Sequence, residues 1–227
     1  MAAAVRLTDP GSRLVAAVGL GSFGQKVASH LCSAHDGCTL VPDGAVESAF
    51  RTGADAVVVA MWRPAPSLCE TADKLSFSTG RPWVPVTMDQ FAIHVGPAVV
   101  PPGGPCYRCF LRRRAQHDMR HHSTAALHAE YDRDASHGPG GYLPQHARMA
   151  AGVTKSMLDA ALARGGCAPG GGVTGKLVNI GLGDYSVSRD HVVPCHDCER
   201  CHARDPRASH EDLLRLVTDI RAEGGRR

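Results

Sequence analysis

Two Cys-x-x-Cys pairs, Cys106-Tyr107-Arg108-Cys109 and Cys195-His196-Asp197-Cys198, constrain this 227-residue chain more than any other feature. Thiols two residues apart can turn back on one ion, and two such knuckles supply the four tetrahedral sulfur ligands that zinc favours. Turn-forming residues frame each knuckle: Pro101-Pro102-Gly103-Gly104-Pro105 leads into Cys106, and Pro194 precedes Cys195. The expected metal ligands are therefore Cys106, Cys109, Cys195 and Cys198, in a structural site that fastens a late segment onto the middle of the chain. Cys201 repeats the spacing after Cys198, so Cys198 and Cys201 form an alternative pair, with His196 or His202 as nitrogen donors. Cys32, Cys38, Cys69 and Cys167 sit in apolar or turn contexts and read as small buried residues.

The N-terminus lacks the charged start and apolar run of a secretory signal, so the expected compartment is the cytoplasm, with reduced thiols and no disulfides. A net charge of +3 and 5% aromatic content suggest neither a phosphate-binding face nor a base-stacking platform, which argues against nucleic acid. No segment approaches the length of a membrane helix.

The front half alternates strands and helices. Leu14 to Val18 reads as a buried strand, Gly19-Leu20-Gly21-Ser22-Phe23-Gly24 as a turn and Gln25 to Cys32 as a helix, the context in which G-x-G-x-x-G cradles a nucleotide. Asp43, after a second strand at Cys38–Val41, stands near the position of a ribose-binding carboxylate. Gly19, Gly21, Gly24 and Asp43 are the candidate nucleotide residues, although such glycines can equally serve close strand-helix packing. Further strands are expected at Ala54–Met61 and Trp83–Thr87, a helix at Pro66–Ser76, and a hairpin from Phe91 to Val100 bending at Gly96-Pro97. The predicted class is α/β: a Rossmann-like, largely parallel sheet flanked by helices, with an antiparallel extension and a four-cysteine zinc site.

Between the knuckles lie His117, His121, His122, His128, His137 and His146. His117 and His121 would share one face of a helix, but the polar flanks and Gly138-Pro139-Gly140-Gly141 favour an exposed insert over a second metal site. Ala147 to Ala163 reads as an amphipathic helix with Met149, Val153, Met157 and Leu158 on its apolar stripe, stopped by Gly165-Gly166. A flexible Ala168 to Gly172 connection and a hairpin over Lys176–Ile180 and Asp184–Val187 follow, and a capped helix begins near Ser209 and carries Leu213, Leu216, Val217 and Ile220. The division is one domain over 1–227: a body at 13–105, a zinc-clasped region at 106–201 with a His-rich insert at 115–141, and a C-terminal helix at 205–227.

The order of Gly19-x-Gly21-x-x-Gly24, Ala54 to Val59, Gly80-Arg81-Pro82-Trp83-Val84-Pro85-Val86, Val95-Gly96-Pro97 and Pro105-Cys106-x-x-Cys109 resembles the ThiF-like adenylating fold of ubiquitin-activating-type enzymes. More narrowly, the chain is similar to the ThiF-like partner proteins of YcaO cyclodehydratases, which make thiazole- and oxazole-modified ribosomal peptides. Tyr142-Leu143-Pro144-Gln145-His146-Ala147 and Pro194-Cys195-x-x-Cys198 fit the same pattern.

The resemblance implies a structural zinc, a YcaO-type subunit and a precursor peptide as partners, and a homodimer or hetero-complex. Active members carry ATP-holding residues that this chain lacks: Ser22 replaces a loop glycine, and no Arg-Gln pair follows Asp43. With those groups missing, the expectation is a non-catalytic accessory subunit whose glycine loop is a vestigial nucleotide site, with ATP a disfavoured ligand. The competing readings are an ATP-dependent adenylating enzyme acting on a peptide or carrier-protein C-terminus, and an NAD(P)-dependent oxidoreductase. Only about a dozen residues precede the first strand, so leader-peptide recognition through an N-terminal winged-helix segment is expected to move elsewhere.

Overall fold

In the computed structural model, the described residues are 13–42, 45–163, 172–196 and 198–201. Asp43, Cys167, His202, the Gly165-Gly166 stop, most of the Ala168 to Gly172 connection and the helix expected at 205–227 lie outside them.

Strands β1 (Val15–Leu20), β2 (Cys38–Val41), β3 (Ala56–Met61), β4 (Trp83–Asp89), β5 (Ala92–Val95), β6 (Lys176–Gly181) and β7 (Val187–His191) form one sheet in the order β2-β1-β3-β4-β5-β6-β7. The pairs β1·β2, β1·β3 and β3·β4 are parallel, while β4·β5, β5·β6 and β6·β7 are antiparallel. The helices are α1 (Gly21–Ala34), α2 (Val46–Arg51), α3 (Pro66–Thr79), α4 (Tyr107–His117), α5 (His121–Arg133) and α6 (Pro144–Leu162).

Alternate residues of each central strand face opposite sides of the sheet, and both sides are covered. On one face Val15, Ala17, Ala56, Val58, Val84 and Val86 pack with α1 and α6 residues such as Phe23, Val27, Ala150 and Leu158. On the other, Ala16, Val18, Val57, Val59 and Trp83 pack with α2, α3 and α4. Every residue of β3 and β4 is buried as a result, which explains the apolar runs at Ala56–Met61 and 83–86.

Some expectations shift. The partner of β5 is β4, through a tight turn at Gln90 (φ 42°), rather than Ala98 to Val100. After Gly96, Val99 returns only as a single bridge to Trp83. The reason is tertiary: Gly96 has φ 101°, and a side chain there would meet the Lys176 carbonyl at 2.5 Å, so β6 occupies the place where the hairpin would close. The later β6-β7 hairpin supplies the expected antiparallel extension, at the end of the same sheet. Cys32 and Cys38 form a disulfide, contrary to the expectation of reduced thiols throughout; the short α1–β2 turn brings their Cα atoms to 4.7 Å.

Candidate metal centre and the glycine loop

The first knuckle is a helix start. Cys106 is the N-cap residue of α4 and Cys109 lies in its first turn, so one helical turn brings both sulfurs to the same side. The sulfurs of Cys106, Cys109, Cys198 and Cys201 all lie within 4.8 Å of one another. The spacings Cys106–Cys109, Cys106–Cys198 and Cys109–Cys201 are 3.8, 3.5 and 3.4 Å. A tetrahedral ion with metal–sulfur bonds near 2.3 Å needs sulfurs about 3.8 Å apart. These four thiols could therefore hold a metal ion.

Cys195 stands outside this set, and Cys201 occupies the place expected for it. The second knuckle is Cys198-x-x-Cys201, the alternative spacing in the sequence. Cys195 instead points its backbone N–H at Cys109 Sγ (3.3 Å) and its thiol at the Cys109 carbonyl (3.9 Å), a supporting contact to one of the clustered sulfurs. Its carbonyl accepts the Cys198 N–H at 3.2 Å, closing the turn that delivers Cys198. Gly104 admits this packing: a side chain there would lie 2.8 Å from Cys201 Sγ.

The metal-free thiols do not share one acidity. Burial above all, then the neighbouring Asp73, pushes Cys106 far up. Burial and the Cys109 thiol push Cys201 up to about 12. At Cys198 the burial effect is outweighed by the N–H groups of Cys201 and Arg200 and by the Cys106 thiol, which bring it down to about 7. A Cys198 thiolate is thus accessible near neutrality, and an ion would have to displace protons from Cys106 and Cys201.

Beside the cluster, charge ties the second knuckle to α3. Arg200 donates to both oxygens of Glu70, at 2.6 and 3.1 Å, and to Asp73. Fully buried Asp73 also accepts the Tyr107 N–H (3.0 Å) and Trp83 Nε1 (3.4 Å). Burial raises the Asp73 pKa, with Tyr107, Arg200 and Trp83 opposing it. Neither acid stands out in the sequence, since both lie on a helix whose motif signal is weak.

At the glycine loop, each glycine answers to the protein itself. A side chain at Gly24 would lie 2.2 Å from the Ala60 carbonyl, so this glycine lets α1 approach β3. One at Gly19 would meet Gln25 and the Gly24 carbonyl at 2.7 Å. Gly21 has φ +65°, and a side chain there would lie 2.3 Å from the Trp62 indole, which also lies against Gly138 of the insert. Next to the loop is a 420 Å³ cavity lined in part by Gly19, Gly21, Gln25, Trp62 and Arg63. Buried Arg63 donates to the Pro64 and Asp134 carbonyls and lies 4.8 Å from the Tyr131 ring. The candidate acid Asp43 lies outside the described residues.

The histidines of the insert do not converge. α4 ends at His117 and α5 begins at His121, so the two never share a helix face. Asp118 makes the break by accepting the Arg120 N–H at 2.8 Å and the Thr124 hydroxyl at 2.6 Å. Among the described residues the four cysteines are the one cluster suited to a metal.

A polar chain not expected from the sequence crosses the sheet near α4. Arg114 pairs with Asp89, His94 Nδ1 lies 2.6 Å from Asn179 Oδ1, and Asn179 Nδ2 donates to Asp190 at 2.6 Å. Chiefly through burial, His94 is held below the ordinary histidine range. The pairings of β4 with β5, β5 with β6 and β6 with β7, with α4 beside them, bring these residues together, so linear spacing carries no signal of them.

No protein-family model matches the chain, and no curated protein is similar to it in sequence. Solved structures do match in fold. A heterocyclase in complex with substrate and cofactor aligns with a TM-score of 0.58 at 14% identity, over 83% of this chain and 25% of the other. The heterocyclase TruD aligns with a TM-score of 0.55 at 14% identity, over 89% and 31%. E. coli MccB aligns with a TM-score of 0.56 at 12% identity, over 88% and 67%. This chain thus spans about a quarter to a third of the two heterocyclases' length, and what it shares with all three is the fold.

Proposed function

We propose that this chain is a ThiF-like accessory subunit of a peptide-modifying complex, held together by a structural zinc and working in the cytoplasm beside a YcaO-type cyclodehydratase on a precursor peptide. The observation that carries the non-catalytic part is the Trp62 indole against Gly21. It gives the glycine loop a structural purpose that needs no phosphate. The shared fold with heterocyclases, and with an MccB solved in complex with N-formylated MccA, supports the association with peptide modification. The zinc assignment rests on four sulfurs at tetrahedral spacing, and thiolate sets of this kind select zinc over hard cations.

The test combines the full chain with a YcaO-type protein and a candidate precursor peptide, following complex formation by co-purification and ring formation by loss of water in mass spectrometry. The reading expects a stable complex and faster ring formation; failure of both overturns it. A second reading, an adenylating enzyme, draws on the cavity and the buried Arg63 beside the loop. ATP–pyrophosphate exchange separates the two, since the accessory subunit supports none on its own.

A further inference from the structure

The sheet ends in two edges of different character. At one end β2 has four residues, is tied through Cys38 to Cys32 and is followed directly by Pro42, all of which limit pairing with another chain. At the other, every residue of β7 is exposed, and the strand contains neither proline nor glycine.

The register decides which backbone groups remain open. Gly181 donates to the Ser186 carbonyl and Val192 to the Gly175 carbonyl. The same alternation directs Ser188 and Asp190 at β6 and turns the N–H and C=O groups of Val187, Arg189 and His191 outward. No loop or helix among the described residues covers these groups.

Cavities flank this edge on both faces of the sheet. Toward α4, a 660 Å³ groove across β5, β6 and β7 is lined by Phe110, Leu177, Val192 and Val193 together with Arg113 and Arg114, the latter paired with Asp89. Its acid Asp190 already accepts hydrogen bonds from Asn179 and Ser188. Toward α6, a 450 Å³ groove is lined by Val153, Met157, Val173 and Val187, together with Lys176 and Arg189. Neither of those cations forms an ion pair among the described residues.

We infer that β7 is a docking strand for an extended acidic peptide, which adds to the sheet with carboxylate side chains toward α6, where Lys176 and Arg189 stand without ion pairs among the described residues, and apolar ones toward α4. Side chains of an added strand alternate between the two faces, so each face of the edge selects one of the two chemistries. A second copy of this chain fits less well: antiparallel self-pairing of β7 about its centre sets Arg189 opposite Arg189. The inference stands on the sheet edge and is independent of the accessory-subunit reading.

The probe is a fluorescent decapeptide of alternating glutamate and valine, titrated into the full chain by anisotropy. Saturable binding is expected, with the lysine–valine counterpart roughly tenfold weaker or worse. Val187→Pro removes an outward donor and no bond to β6, so it should weaken binding roughly tenfold, clearly more than Val187→Ala, which trims only a side-chain contact and keeps the N–H. Hydrogen exchange on the unmodified protein should slow at Val187, Arg189 and His191 when the peptide is present, a readout that needs no variant. Equal binding of the lysine peptide, or protection confined to other segments, would overturn the inference. So would a dimer in sedimentation that Val187→Pro dissolves, because the edge would then belong to a second copy.

Discussion

The glycine loop and the cysteine cluster both arise from short, closely spaced motifs, but they end in opposite conditions. At the loop, the close approach that Gly21 permits is taken by the protein's own Trp62. At the cluster, four sulfurs face one another at distances that suit an ion. Spacing therefore predicts a backbone geometry in both places, and only the surrounding side chains decide whether a ligand is part of it. Fold likeness cannot substitute for that inspection, since heterocyclases and MccB share this sheet while aligning at 12–14% identity.

The largest effect expected from breaking this contrast lies at the cluster. Cys201→Ser should abolish stoichiometric zinc, seen by metal analysis, and cost about 4 kcal/mol, the mass-action stabilisation at a thousandfold excess of ligand over Kd. Cys195→Ser should keep the metal; the reverse outcome would return Cys195 to the ligand set. Next comes Asp73→Ala, which leaves Arg200 and the Tyr107 N–H without their buried partner. A loss of about 3 kcal/mol in urea unfolding is expected, with the second knuckle exchanging first.

At the loop, Gly21→Ala should cost about 2 kcal/mol through its left-handed backbone and the contact with Trp62. In a Trp62→Ala background that cost should fall, leaving mainly the backbone strain. Additive effects in this double-mutant cycle would mean that Gly21 does not serve Trp62.

The smallest effect is pH-dependent. Although burial raises Glu70, the hydrogen bond and charge of Arg200, with Arg108 and Lys74, outweigh it and hold the carboxyl below its ordinary value. A depressed carboxyl contributes stability above its unfolded pKa, about 4.3, and loses it as pH falls through the folded value. Acid titration of thermal stability should therefore fall less steeply below that point in Glu70→Gln. Thiol protonation displaces zinc in the same direction and should persist in the variant.

Much of the fold was legible from local patterns. The apolar runs at Val57–Val59 and Trp83–Val86, and the glycine turn between β1 and α1, were readable because each is determined by neighbours within a few residues. The failure of β5 to pair with Ala98 to Val100 was not, because it follows from β6, far along the chain, filling the place beside Gly96. Helix α2, six residues long, left too short a periodicity to read. The His117–His121 spacing failed for a related reason: Asp118 offers the backbone a local turn that competes with helix continuation.

By itself, the sequence determined that this chain forms an α/β sheet with a glycine-turned first helix, and that cysteine knuckles would join its middle to a late segment. Periodicity and turn chemistry act over a few residues, so they are written directly into the order of side chains. Tertiary structure alone decided that Cys201 joins the cluster while Cys195 supports it, that Trp62 meets Gly21, and that β7 is left as an open edge. Each depends on where distant segments pack, and packing selects among spacings that the sequence leaves equivalent.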